Sequence, residues 1–310
     1  MSWFLIAIIA YLIMAFVNIG DKFILGNVIP NSKAYTFFVG CLGMIVFVLA
    51  PFYLVWPGIV IFLLNIIVGA MFPLALLLMY KALKEGDTSK VITLIGGSIP
   101  IFTIFFSISI FNERFSVREW IGIVLLLIGT LIISWIPNKK TMWHKFAMWF
   151  GDTDDDDTKG IIIAVAAALF FSLFFIGTKY MYNVQPFMSG FIWIRFGSFV
   201  MVLFLLLNKK DRCGIFDSMK SLKKSKNKFL FFGNQGLAAV GSFLQNYAIA
   251  LGSVVFVNAL QGVQYAFLLI FGAIITILRP KAIKEDISKS IIIQKAISIV
   301  IIAIGLYFIS

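Results

Sequence analysis

Apolar residues in this chain come in long unbroken runs, without the alternating or three-and-four spacing of a water-soluble fold. The runs cover residues 3–22, 34–55, 58–82, 91–111 and 120–136, then 160–182, 187–207, 229–251, 254–278 and 291–309. A hydrocarbon core about 30 Å thick takes about 20 helical residues to cross. The pattern therefore predicts an all-α integral membrane protein of ten transmembrane helices. The first run begins at Trp3 with no basic stretch before it and no small-residue cleavage site after it, which reads as a retained helix.

Residues 137–159 separate the two sets of five. They contain MWHKFAMWF, suited to an interfacial helix, and then GDTDDDDTK, which reads as a solvated linker. The expected organisation is a first five-helix repeat over 1–136, the linker over 137–159 and a second five-helix repeat over 160–310. Homologous halves with an odd number of spans must have opposite orientations, so the repeats are expected to be inverted. NIGDKFIL in the first run matches FIGTKYMY in the sixth, aligning Gly20 with Gly177 and Lys22 with Lys179. Gly40 then meets Gly197, Ala82 meets Ala248, Gly86 meets Gly252, Gly96 meets Gly262 and Gly129 meets Gly305.

Composition narrows the function. With 61% hydrophobic and 13% charged residues and a mean hydropathy of +1.01, no sizeable aqueous domain fits. The net charge of +12 sits in short segments between the runs, where it reads as orientation and headgroup contact; nucleic acid is not an expected partner. Cys41 and Cys213 form no CxxC pair, and His144 is the single histidine. No GxxxxGK, no GxSxG and no metal-ligand spacing is present, so no enzyme activity, cofactor or metal is expected.

YKALKEGDTSKVITLIGGSIPIFTIFFSISIFNERFSVREWIGIVLLLIGTLII resembles the signature half of EamA-type members of the drug/metabolite transporter superfamily. The recognisable parts are the small-residue turn after Ala82, the Pro100 run, Glu113 in FNERFS and the Gly122 to Gly129 spacing; FIWIRFGS around Arg195 extends the likeness to the second half. ILRPKA departs from it, placing Arg279 where the repeat expects a counterpart of Glu113. The resemblance implies a ten-helix carrier with a central cavity.

Several polar residues lie inside the runs. Asn18, Asp21 and Lys22 share one helix face. Asp21 is a proton or cation site on one reading, with Lys22 or Lys179 as an anion contact at the mouth of the cavity; on the other, all three snorkel to headgroups at helix ends. Arg195 lies too deep to snorkel easily, at a cost of about 2.5 to 3.5 kcal/mol, and is either a substrate contact or a helix-tying arginine. Gln235, Ser242, Gln245 and Asn246 in the eighth run and Asn258, Gln261, Gln264 and Tyr265 in the ninth recur at helical spacing. They read as the wall of a polar cavity, because an unpaired amide facing lipid is costly. Tyr80, Thr93 and Ser98 are the less polar first-half counterpart, and Pro100 is a hinge candidate for alternating access.

The function expected from these residues is a secondary transporter that moves a small polar or amphipathic metabolite (amino acid, sugar-like or drug-like) by alternating access. The competing reading is a non-transporting multi-span receptor or scaffold. The partners are the lipid bilayer, a small-molecule substrate and a coupling proton at Asp21, in a monomer or homodimer of the cell (cytoplasmic) membrane. Basic residues concentrate in alternate inter-run segments, so the positive-inside rule places both termini outside the cytoplasm, whereas the resemblance implies termini inside.

Overall fold

The computed structural model describes residues 2–85, 88–134, 155–224, 228–278 and 289–309. Gly86, residues 137–154 of the linker, Arg279 and the side chain of Thr93 lie outside the described residues. The described chain is 91% helix and contains no strand. Its helices are α1 (Ser2–Asn27), α2 (Ser32–Gly43), α3 (Ala50–Tyr53), α4 (Ile59–Glu85), α5 (Thr88–Phe111), α6 (Val117–Ser134), α7 (Asp155–Val184), α8 (Phe187–Leu203), α9 (Lys209–Lys224), α10 (Lys228–Leu251), α11 (Val254–Ala259), α12 (Gln261–Leu278) and α13 (Lys289–Ile309).

Six of the described stretches are long and apolar enough to cross a membrane: Trp3–Asn27, Ser32–Tyr53, Ile59–Glu85, Leu94–Phe111, Lys159–Val184 and Phe187–Leu206. Val254–Leu268 and Ala296–Ile309 are apolar but shorter. α10 is long enough, but Asn234, Gln235, Gln245 and Asn246 make it more polar than the six.

Local chemistry explains where the apolar runs and the helices differ. The second run changes to a 3-10 segment at Met44–Leu49, because Pro51 has no N–H to continue the α ladder, and Ala50 N–H bonds Phe47 O. The ninth run breaks at Leu260, between α11 and α12, with Val263 N–H to Leu260 O at 2.9 Å. The basic stretch before the eighth run is a helix, α9, where the sequence reads as a loop. Its Ile215 and Leu222 are buried while Lys209, Arg212, Lys220 and Lys223 are exposed. α7 begins at Asp155, so the end of the linker is helical. Asn31 caps α2 by accepting from the N–H groups of Lys33 and Ala34. Ser116 and Glu119 form a reciprocal capping box at the start of α6.

The chain divides into two compact units, Met1–Leu77 with Phe170–Val257, and Leu78–Leu169 with Asn258–Ser310. Each draws on both sequence halves. In the first unit α1 lies along α10, where Asn234 occupies the space a Cβ on Gly20 would need. α4 crosses α8 so closely that a Cβ on Gly197 would stand 2.7 Å from the Asn65 and Ile66 carbonyl oxygens. Only glycine admits that approach. Val68, Phe174, Met181 and Ile194 form a buried cluster beside the crossing. In the second unit α6 pairs with α13, where a Cβ on Gly305 would lie 3.1 Å from Gly122 O and one on Gly129 3.2 Å from Ser298 O.

Candidate functional site

The polar side chains of the first unit gather into connected groups on facing helices. At the end of α1 the Asp21 carboxylate accepts from the Tyr35 hydroxyl of α2 and, at 2.6 Å, from Asn234 Nδ2 of α10. Gln235 Nε2 donates to the Tyr35 oxygen at 2.8 Å, so a run of donors leads from α10 through α2 to α1. Gly20 makes this possible, since its missing side chain is the room Asn234 fills. Asp21 is thus held by neutral groups, and Lys22, next in sequence, is exposed. Asn18 is half-buried on the same helix.

A second group surrounds Arg195 on α8. The guanidinium donates to the Ser242 hydroxyl and lies over the Phe191 ring, 4.9 Å from its centre. Asn246 Nδ2 donates to Ser242 O at 2.7 Å and its Oδ1 accepts from the Tyr182 hydroxyl at 2.9 Å. The four side chains tie α7, α8 and α10 together. A narrow cleft with room for about one water molecule opens on Arg195 between α2, α4 and α8.

Lys179 caps a helix. Its ammonium donates to the carbonyls of Ile249, Ala250 and Gly252, at 3.0, 3.1 and 2.8 Å, where α10 ends and its orphan carbonyls need donors. Gln245 donates to the Tyr11 oxygen at 3.3 Å, and Tyr11 donates to Val257 O at 2.7 Å.

The second unit has its own polar group at the broken ninth run. Asn258 Nδ2 donates to Thr103 Oγ1 at 3.3 Å, while its buried Oδ1 has no partner among the described residues. Gln261 approaches the Tyr265 hydroxyl at 3.5 Å, and that hydroxyl stands over Gly96. Gln264, Ser98 and Tyr80 are half-buried, and α5 continues through Pro100 without a break. The expected cavity residues therefore fall into both units, with Gln235, Gln245, Asn246 and Arg195 in one and Asn258, Gln261, Gln264 and Tyr265 in the other.

Sequence reasoning missed Tyr35, Asn234, Tyr182 and the reciprocal amide pair of buried Asn65 with Gln185. Asn234 stands beside Gln235 but about 100° around the helix, outside the stripe counted from Gln235. Its signal was Gly20, the aligned small residue that faces it.

Residues 1–135 match the model of the EamA-like transporter family, a family of transporters and not of enzymes. The resemblance drawn from the signature half stands over that stretch. No curated protein matches the chain. Among solved structures, one described only as "Crystal structure of protein" superposes with a TM-score of 0.60 at 14% identity, over 99% of this chain and 94% of that one. That likeness concerns the fold. The family match and the six apolar helices together make this an integral, multi-pass membrane protein.

Proposed function

We propose that this chain is a secondary transporter that carries a small polar or amphipathic metabolite by alternating access, with the polar groups around Asp21 and Arg195 forming part of its pathway. The observation that carries the reading is the placement of ionisable groups inside apolar spans: Asp21 lies in Trp3–Asn27 and Arg195 in Phe187–Leu206, each with neutral partners only among the described residues. Helices tied together for architecture alone gain little from charges that cost several kcal/mol to bury, so intramembrane ionisable residues point first to transport. The family match over residues 1–135 supports the same class.

Two glycine pairs support the inverted repeat. Gly20 of the first run faces the eighth, and its partner Gly177 of the sixth faces Val68 of the third. Gly129 and Gly305 face each other's helices. Exchanging the halves maps these contacts onto one another, as two repeats related by a two-fold axis require.

The test is gradient-driven flux in proteoliposomes across labelled amino acids, sugars and amphipathic drugs. Saturable uptake of at least one class, abolished in protein-free vesicles, is the expected result. Absence of flux across the whole panel would favour the scaffold.

A further inference from the structure

We infer that Arg195 is an anion contact of the pathway and that the cargo is a small amphipathic carboxylate. This rests on the transporter reading and narrows its substrate class.

A guanidinium inside an apolar span needs a counter-charge, and the described residues supply none within hydrogen-bond reach. The acidic side chains of its compact unit are Asp21, Asp211 and Asp217. Asp21 is taken by Tyr35 and Asn234, Asp211 by Lys33 at 2.7 Å, and Asp217 is exposed on α9. Among the described residues Arg195 meets one hydroxyl and one ring face, which leaves most of its five N–H donors uncommitted there. Such a group is costly alone and favourable once paired.

The cleft beside it has the complementary character. Among the described residues Arg195 is the one charged group in its lining; the polar remainder is the hydroxyls of Thr36 and Ser198. Both already donate to helix carbonyls, Thr36 to Ser32 O at 3.0 Å and Ser198 to Gly69 O at 2.7 Å. An ammonium finds no carboxylate there. A carboxylate finds a planar fork that matches it in two parallel bonds. Phe72 and Leu76 supply an apolar wall for the rest of the molecule, and Gly43 lines the cleft beside the arginine stem, where a Cβ would meet Arg195 Cδ at an ordinary contact distance of 3.6 Å. The chain Tyr182 to Asn246 to Ser242 fixes the arginine from the other side. In this structure the cleft has room for about one water molecule, so the anion enters as α2 and α4 move from α8 during alternating access.

The test uses the full chain in detergent and compares phenylacetate and butyrate with phenylacetamide, butyramide, phenethylamine and phenylphosphonate, read by equilibrium dialysis and by the shift in unfolding midpoint. Carboxylates should bind at least about tenfold more tightly than the matched amides. Arg195→Gln should erase that preference, and Arg195→Lys should keep it at lower affinity. If Arg195→Gln fails to fold, the lysine variant carries the test. Equal binding of amide and carboxylate, a preference unchanged in Arg195→Gln, no carboxylate binding at all, or binding of the phosphonate alone would each overturn the inference. A retained carboxylate preference with no flux of any compound in proteoliposomes would instead overturn the transporter reading and leave the anion site standing.

Discussion

Neutral donors surround Asp21, and this sets what its neighbours do. A carboxylate locked to a lysine keeps its charge; one held by Tyr35 and Asn234 can accept a proton with no cation left stranded. If Asp21 carries a coupling proton, Asp21→Asn retains counterflow exchange and loses pH-gradient-driven accumulation, measured in proteoliposomes with an imposed gradient. Unchanged accumulation would assign coupling elsewhere. Tyr35→Phe removes one donor from the carboxylate and one acceptor from Gln235, and is expected to lower stability by about 1 to 3 kcal/mol in thermal unfolding. Lys179→Met should cost about 1 to 2 kcal/mol in the same measurement, because three carbonyls at the end of α10 lose their charged donor. At this scale the sequence was legible where polarity stood out from an apolar background, as at Asp21, Arg195 and the amides of α10. It was silent on pairing. Tyr35 looks like any aromatic in a membrane helix until Asp21 is set against it, and Lys179, readable as a cavity cation, is a helix cap.

Helix edges followed the hydropathy pattern only loosely, with α1 running on to Asn27 and α7 starting at Asp155, and helix interiors departed from it. The 3-10 turn at Met44–Leu49 leaves apolarity untouched and the break at Leu260 is marked only by the flanking Asn258 and Gln261, so a count of apolar residues passes over both. α9 was missed for the opposite reason. Its buried face is narrow, with Ile215 and Leu222 among six basic residues, and charge density alone reads as a loop. Its tie to the start of α2 is an exposed pair, Lys33 with Asp211, so Asp211→Asn is expected to change stability by under about 1 kcal/mol. The glycine contacts are a different case. Gly197→Val places a branched side chain against the backbone of α4, where a carbonyl cannot yield as a side-chain tip can. It is expected to cost about 1 to 3 kcal/mol or more, read as a lower unfolding midpoint, with Gly26→Ala, which meets nothing, as the control.

For the whole molecule, charge decides which face of the membrane each end of the helices meets more directly than likeness does. Lys209, Lys210, Arg212, Lys220 and Lys223 lie on or beside α9, which begins three residues beyond the Phe187–Leu206 span and so sits at the bilayer edge. Arg114, between α5 and α6, and Arg118, in the first turn of α6, are the chief basic residues of the other side. Each lysine or arginine near an anionic leaflet contributes about 1 kcal/mol, so the α9 side outweighs the Arg114 side by several kcal/mol in setting orientation. Cys213 is exposed on α9, whereas Cys41 is half-buried within its span, so the native chain carries one ready reporter. An impermeant maleimide should label Cys213 in inside-out vesicles and not in intact cells. With Cys213→Ser and Arg114→Cys together, the pattern should reverse. Labelling of Cys213 from outside would mean that the termini follow the arrangement implied by the resemblance and that the basic segments were translocated against their charge; labelling of both positions from one side would break the odd number of crossings that the inverted repeat requires between them.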